Sequence, residues 1–144
     1  MPTVHGHNPT VVPLPDTRVY AAAVDLAVER FGDARIVRVK TAKLTYPVLA
    51  PFFDAVRALV ETGASKLVLD LEAVSYIDSE TIGCLVEIHR LVTERGGAVR
   101  LCGLQRRVNR MLSMTGVDRF LEVCAAEAEA LASLGQAIDG LHTA

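Results

Sequence analysis

The 144-residue sequence has no surplus of basic charge. Its 15 Lys and Arg stand against 17 Asp and Glu, a formal net charge of −2. General binding to nucleic acid or to an anionic membrane draws on clustered Lys and Arg, so no direct nucleic-acid partner is expected. No apolar run approaches the ~20 residues that cross a bilayer, so no membrane insertion is expected either. The N-terminus, MPTVHGHNPTVVPLPDTR, lacks a basic start followed by an apolar stretch and so reads as no secretory signal. Cysteine is sparse. Cys84, Cys102 and Cys124 form no C-x-x-C pair, and an odd number completes no disulfide framework. They read as free thiols in a reducing, cytoplasmic setting. No phosphate-cradling G-x-G-x-x-G or P-loop is present, since Gly32, Gly96 and Gly97 have the wrong spacing. His5-Gly6-His7 has no third or fourth ligand near it in sequence, so no metal site and no cofactor are expected.

What the chain does have is apolar content, 51% of its residues, enough for one core in a domain of ordinary size. Residues 1–22 hold Pro2, Pro9, Pro13 and Pro15 without sustained periodicity and read as an N-terminal tail. Residues 23–144 then form a single domain. The run Val19–Val24 fits a helical turn or an edge strand equally well.

Leu26, Val28 and Arg30, then Phe31-Gly32-Asp33, then Ile36–Val39 read as a β-hairpin. Phe52, Val56, Leu59 and Val60 recur at helical spacing, with Pro51 suited to the first turn and Gly63 just past the end. Lys66–Leu71 is a short apolar run of the buried-strand type. Ile82, Leu85, Ile88, Leu91 and Val92 make the apolar stripe of a helix to Arg95, stopped by Gly96-Gly97. A strand at Ala98–Gly103, a helix at Gln105–Gly116, a short strand at Phe120–Val123 and a helix at Ala125–Ile138 follow. The order β-β-α-β-α-β-α-β-α predicts an α/β fold with a mostly parallel sheet of 4–5 strands, since parallel strands need crossover connections.

Asp78-Ser79-Glu80-Thr81 falls where the second helix begins. Asp and Ser at that place can accept hydrogen bonds from the unpaired first-turn N–H groups, and Glu80 suits the positive end of the helix dipole. The segment as a whole carries more than a cap. Asp70-Leu71, then Tyr76-Ile77, then Asp78-Ser79-Glu80-Thr81-Ile82-Gly83 resembles the STAS family, the domain shared by sulfate transporters and anti-sigma factor antagonists. Leu112-Ser113-Met114-Thr115-Gly116 with Asp118 and Phe120–Val123 resembles a second signature of the same family. The resemblance covers roughly residues 25–138.

The resemblance implies a STAS-like fold and a regulatory, non-enzymatic role. The chain would bind an anti-sigma factor with a serine-kinase-type fold and free the sigma factor, in a partner-switching pathway controlling transcription. The implied contacts are Asp78, Ser79, Glu80, Thr81, Gly83 and Cys84. A homodimer is compatible with it. In the family the kinase phosphorylates the residue after Asp-Ser, and phosphate adds about −1.5 to −2 charges to the contact surface. Here that position is Glu80, and the family's following Gly is Thr81. Three readings stay open: Glu80 imitates the phosphorylated state, the acceptor is Ser79 or Thr81, or phosphorylation plays no part. On this reading Thr81→Arg should weaken partner binding with little loss of folding. Where the family often has Gly-Glu-Leu-Asp, this chain has Ala42-Lys43-Leu44-Thr45, a loop expected near Asp78. STAS domains also serve as transporter accessory subunits and as small-ligand sensors, and these stand as alternatives.

Other constellations are weaker. His89 follows Ser79 by ten residues, about 15 Å along a helix at ~1.5 Å per residue, too far to serve as its base. Arg106, Arg107, Arg110 and Arg119 read as a solvated helix face or as a patch for an acidic partner.

Overall fold

The computed structural model describes residues 12–13 and 24–136. Strands β2 (Leu26–Phe31) and β3 (Ala34–Val39) form the expected hairpin. They pair antiparallel from Leu26↔Val39 to Phe31↔Ala34, and Gly32 supplies the positive φ of 58° that the two-residue connection needs. β3, β5 (Lys66–Asp70), β7 (Ala98–Cys102) and β8 (Glu122–Cys124) then run parallel in that order. The short strand β1 (Val12–Pro13) pairs antiparallel with β2 at the hairpin edge. Apart from that pair, the expected tail lies outside the described residues. So does the run from Val19, except for Val24, which is buried.

Period-2 alternation sorts the strand side chains onto two faces. Val37, Val39, Leu67, Leu69, Val99 and Leu101 share one core with the buried stripes of α1 (Tyr46–Glu61), α2 (Ser79–Glu94) and α3 (Arg106–Thr115). Ile36, Val68 and Cys102 face the other way, under Ala130, Leu131 and Leu134 at the short helix α4 (Glu127–Ser133). The last helix thus ends five residues before the expected Ile138, which is itself outside the described residues. The strand expected at Phe120–Val123 starts two residues later, because Val117–Arg119 forms a 3-10 turn that carries Phe120 with it.

Helix ends follow one rule. After α1, α2 and α4 a glycine (Gly63, Gly96, Gly135) adopts positive φ. After α2, Gly96 N–H donates to Thr93 O and Gly97 N–H to Val92 O, the paired bonds of a Schellman motif, and α1 and α4 close the same way. Helix α1 departs from expectation at its start. It begins at Tyr46, with Pro47 in the first turn, and Pro51 lies inside it. Pro51 forfeits one helical bond, but Val48, Phe52, Val56 and Val60 bury on the core side and hold the turn.

The two shortest strands position the site. β4 (Lys43–Leu44) and β6 (Tyr76–Ile77) pair parallel, Lys43 with Tyr76 and Leu44 with Ile77. Only Thr45 separates β4 from α1, and only Asp78 separates β6 from α2. The pairing therefore sets two helix N-termini side by side.

Candidate functional site

One carboxylate joins those two helix starts. Asp78 Oδ1 accepts the Thr81 N–H at 3.0 Å, within α2, and Asp78 Oδ2 accepts the Tyr46 N–H at 3.0 Å, at the start of α1. The Thr81 hydroxyl accepts from Asp78 N–H at 3.2 Å and shares its single proton between Asp78 Oδ1 and Leu44 O. The loop 42–45 thus lies against Asp78, as expected. Burial pushes the Asp78 carboxyl up, but the hydrogen bonds from Tyr46 N–H, from the Thr81 hydroxyl and N–H and from its own N–H outweigh it, and it sits below the ordinary carboxylate range. Stability that depends on ionised Asp78 is complete at neutral pH. It declines as pH falls through the unfolded-chain value near 3.8 and is gone below the lower folded value. Asp78→Asn should therefore flatten the acid limb of the unfolding free energy, measured by urea titration between pH 7 and pH 3. An unchanged slope would assign that limb to other carboxylates.

The expected site residues divide by exposure. Ser79, Glu80 and Gly83 are exposed, Cys84 is half-buried, and Thr81 is fully buried. This corrects one expectation. Arginine at residue 81 would force a charge into a sealed, hydrogen-bonded position, so Thr81→Arg tests folding before it tests binding. Beside Glu80, Gly83 and Cys84, helix α1 contributes Tyr46, Pro47, Leu49, Ala50 and Phe53, and together with Glu87 these line a groove of about 670 Å³. Tyr46 is 69% exposed and Tyr76 44% exposed, a high degree for such large rings. The α1 half of the groove does not show in the sequence, because Pro51 resembles a first-turn proline while the helix starts five residues earlier, at Tyr46. The spacing Glu80, Gly83, Cys84, Glu87 was the available signal, as it repeats on one side of α2.

None of the other candidates joins the hydrogen-bond network around Asp78. His89 lies against Phe120, ring centroids 5.8 Å apart, and its Nδ1 is buried without a partner. Arg106, Arg107, Arg110 and Arg119 are exposed, with no carboxylate ion pair among the described residues. The three cysteines are free. Burial, then Glu87, pushes the Cys84 thiol up to about 11, and burial, then Asp70 and Glu127, pushes Cys102 up to about 12. Cys124 is raised as well, chiefly by burial. All three are protonated at neutral pH and weak nucleophiles. His5 and His7 lie outside the described residues.

Two residues of the motifs prove structural. Asp70 is buried, accepts the Glu72 N–H at 3.0 Å and pairs with Arg38 at 2.7 Å. Gly116 caps α3 at φ 80°, after the Thr115 hydroxyl has closed onto Leu112 O. With a capped α2 start beneath a β4–β6 pair, the arrangement matches the domain whose family model, the STAS domain, covers residues 25–130. The chain belongs to the STAS domain family. This STAS domain is similar to the anti-sigma-B factor antagonist of Bacillus subtilis, 34% identical over 67 residues, which are 46% of this chain and 61% of that protein. The matched stretch thus spans about three fifths of the relative's length. Among solved structures, an anti-sigma factor antagonist from Mycobacterium paratuberculosis superposes with a TM-score of 0.72 at 18% identity, over 78% of this chain and 95% of that one. The Bacillus anti-sigma factor antagonist SpoIIAA superposes in its unphosphorylated form with a TM-score of 0.65 at 15% identity, over 78% of this chain and 99% of that one. Its phosphorylated form gives 0.59 at 16% identity, over 75% and 97%. These two neighbours establish the STAS fold. Among the described residues no helix is long and apolar enough to cross a membrane.

Proposed function

We propose that this STAS domain is an anti-sigma factor antagonist: it binds an anti-sigma factor with a serine-kinase-type fold in the cytoplasm and thereby frees a sigma factor. The observation that carries the reading is the exposed helix start. Ser79 and Glu80 stand free at the surface on a backbone that Asp78 and Thr81 hold rigid. Rigid presentation lowers the ordering cost of binding. The neighbouring Tyr46 and Tyr76 are the aromatic type that anchors interfaces. The family membership and the named relatives support the same role.

The geometry also favours one switch over the others. Of the hydroxyls in this turn, Thr81 is sealed and fully hydrogen-bonded, whereas Ser79 is open to a kinase. Ser79 is therefore the proposed acceptor. A phosphate there would add about −1.5 to −2 charges beside Glu80 and release the partner by like-charge and desolvation cost. Glu80, with one charge and fewer acceptor oxygens, belongs to the binding-competent surface. The test is an affinity pull-down from native cytosol with wild type, Ser79→Asp and Glu80→Ser, partners identified by mass spectrometry. Capture of an anti-sigma kinase by wild type, weaker capture by Glu80→Ser and loss with Ser79→Asp are expected. Capture of a transporter subunit, or of no anti-sigma factor by any variant, would overturn the reading.

A further inference from the structure

The groove beside the capped helix start carries a more specific inference, which rests on the antagonist reading above. Its apolar lining comes from Tyr46, Ala50 and Phe53 on α1 and from Gly83 and Cys84 on α2, while Glu80 and Glu87 stand on its α2 wall. Both carboxylates are exposed. Among the described residues Glu80 has no ion-pair partner, and Glu87 has only Arg90 of its own helix, at 3.3 Å with both side chains more than half exposed. Such a pair contributes little and gives way readily. The one cation of α1, Arg57 over the Phe53 ring, is paired with Asp54. The field of Glu87 reaches the groove floor, since it helps raise the Cys84 thiol. A Cβ added at Gly83 would meet nothing within 4 Å, so the α2 wall is open at that point.

A channel between two packed helices accepts a third helix by ridge-into-groove packing, and an apolar floor with charges on one wall is the pattern of helix-in-groove recognition. Glu80 and Glu87 are seven residues apart, two turns or about 10 Å along α2 at ~1.5 Å per residue. We propose that the groove receives a helix of the anti-sigma factor that turns apolar side chains onto Tyr46, Ala50 and Phe53 and sets two Lys or Arg side chains, two turns apart, against Glu80 and Glu87. Glu80 is then an attractive group in the bound state. A phosphorylated Ser79 would act at the mouth of this channel.

Cys84 is protonated at neutral pH and labels slowly, so it serves as a native reporter when labelled at mildly alkaline pH. In the complex of the full chain with the anti-sigma factor it captures, maleimide labelling of Cys84 should fall about tenfold or more, as expected for a group at the centre of a desolvated contact. Labelling of Cys124, on the opposite face of the sheet, should not change. Glu87→Lys should weaken binding by about tenfold or more through like-charge contact, and Ala50→Trp should do so by filling the channel. Both sites are exposed, and unchanged melting temperatures would verify the fold. A Lys→Glu or Arg→Glu change in the partner helix should restore binding to Glu87→Lys, which mere structural damage would not allow. If the complex forms but Cys84 stays reactive and both variants bind like wild type, the groove proposal is wrong while the antagonist reading stands. If no anti-sigma factor is captured at all, both fall.

Discussion

Arg38→Ala should destabilise the domain by about 3 kcal/mol, the largest effect expected from any single polar change. Arg38 meets three carboxylates from three elements: Glu29 of β2 at 2.6 Å, Asp70 of β5 at 2.7 Å and Glu127 of α4 at 2.6 Å. Burial works against the charge, but the hydrogen bonds to Glu127 and Glu29 outweigh it, and the guanidinium holds its proton more firmly than usual. Removing one partner of a buried pair costs about 3–5 kcal/mol because the remaining charges stay desolvated and unpaired. The lower end applies here, since a quarter of the Arg38 side chain faces water. Arg38→Lys, which keeps the charge but loses the two-pronged contact with Glu127, should lose less. Helix α4 is a seven-residue helix, too short to persist unaided, so the same variant should speed amide exchange across 127–134. Urea unfolding checks the first claim and hydrogen exchange the second. A loss below about 1 kcal/mol, the range of surface ion pairs, would mean that water solvates the three carboxylates once the guanidinium is gone.

Asp78→Ala comes next, at about 2–3 kcal/mol. A lost N-cap costs about 0.5–2 kcal/mol, and here the same carboxylate also serves Tyr46 N–H at the start of α1. Charged hydrogen bonds are worth about 1.5–3 kcal/mol. The melting temperature should fall by on the order of 10 °C. Asp78→Asn, which keeps an acceptor oxygen for one helix but not both, should fall between. An alanine variant as stable as wild type would remove the physical basis for a rigid site. Because the loss would splay α1 from α2, partner binding should weaken beyond what the loss of one contact explains.

Much of the fold was legible because long segments carried clean periods. Of the expected α2 stripe, Ile82, Leu85, Ile88 and Val92 are buried and Leu91 partly so, and Lys66–Asp70 is the central parallel strand. The hairpin followed from Gly32 between two alternating runs. What escaped was short or long-range. Strands β4 and β6 have two residues each, too few for any period to show. The true start of α1 was hidden by two prolines four apart, of which the later one looked like the first-turn residue. The site was half legible. Asp78 announced a cap for its own helix, but its bond to Tyr46 joins residues 32 apart in sequence and follows only from the β4–β6 pairing. Thr81 looked like one more surface hydroxyl until that pairing brought Leu44 O onto it. Asp70 showed as a motif residue, yet its role depends on Arg38, a residue no local pattern singles out.

The most direct test of the central claim is amide hydrogen exchange on this chain, alone and with the anti-sigma factor it captures. Protection gathered at residues 44–53 and 76–87, around Asp78 and along the α1–α2 groove, is the expected result. Protection at α4 and β8 instead, with the α2 start exchanging as in the free chain, would contradict the assignment of this helix start as the contact surface.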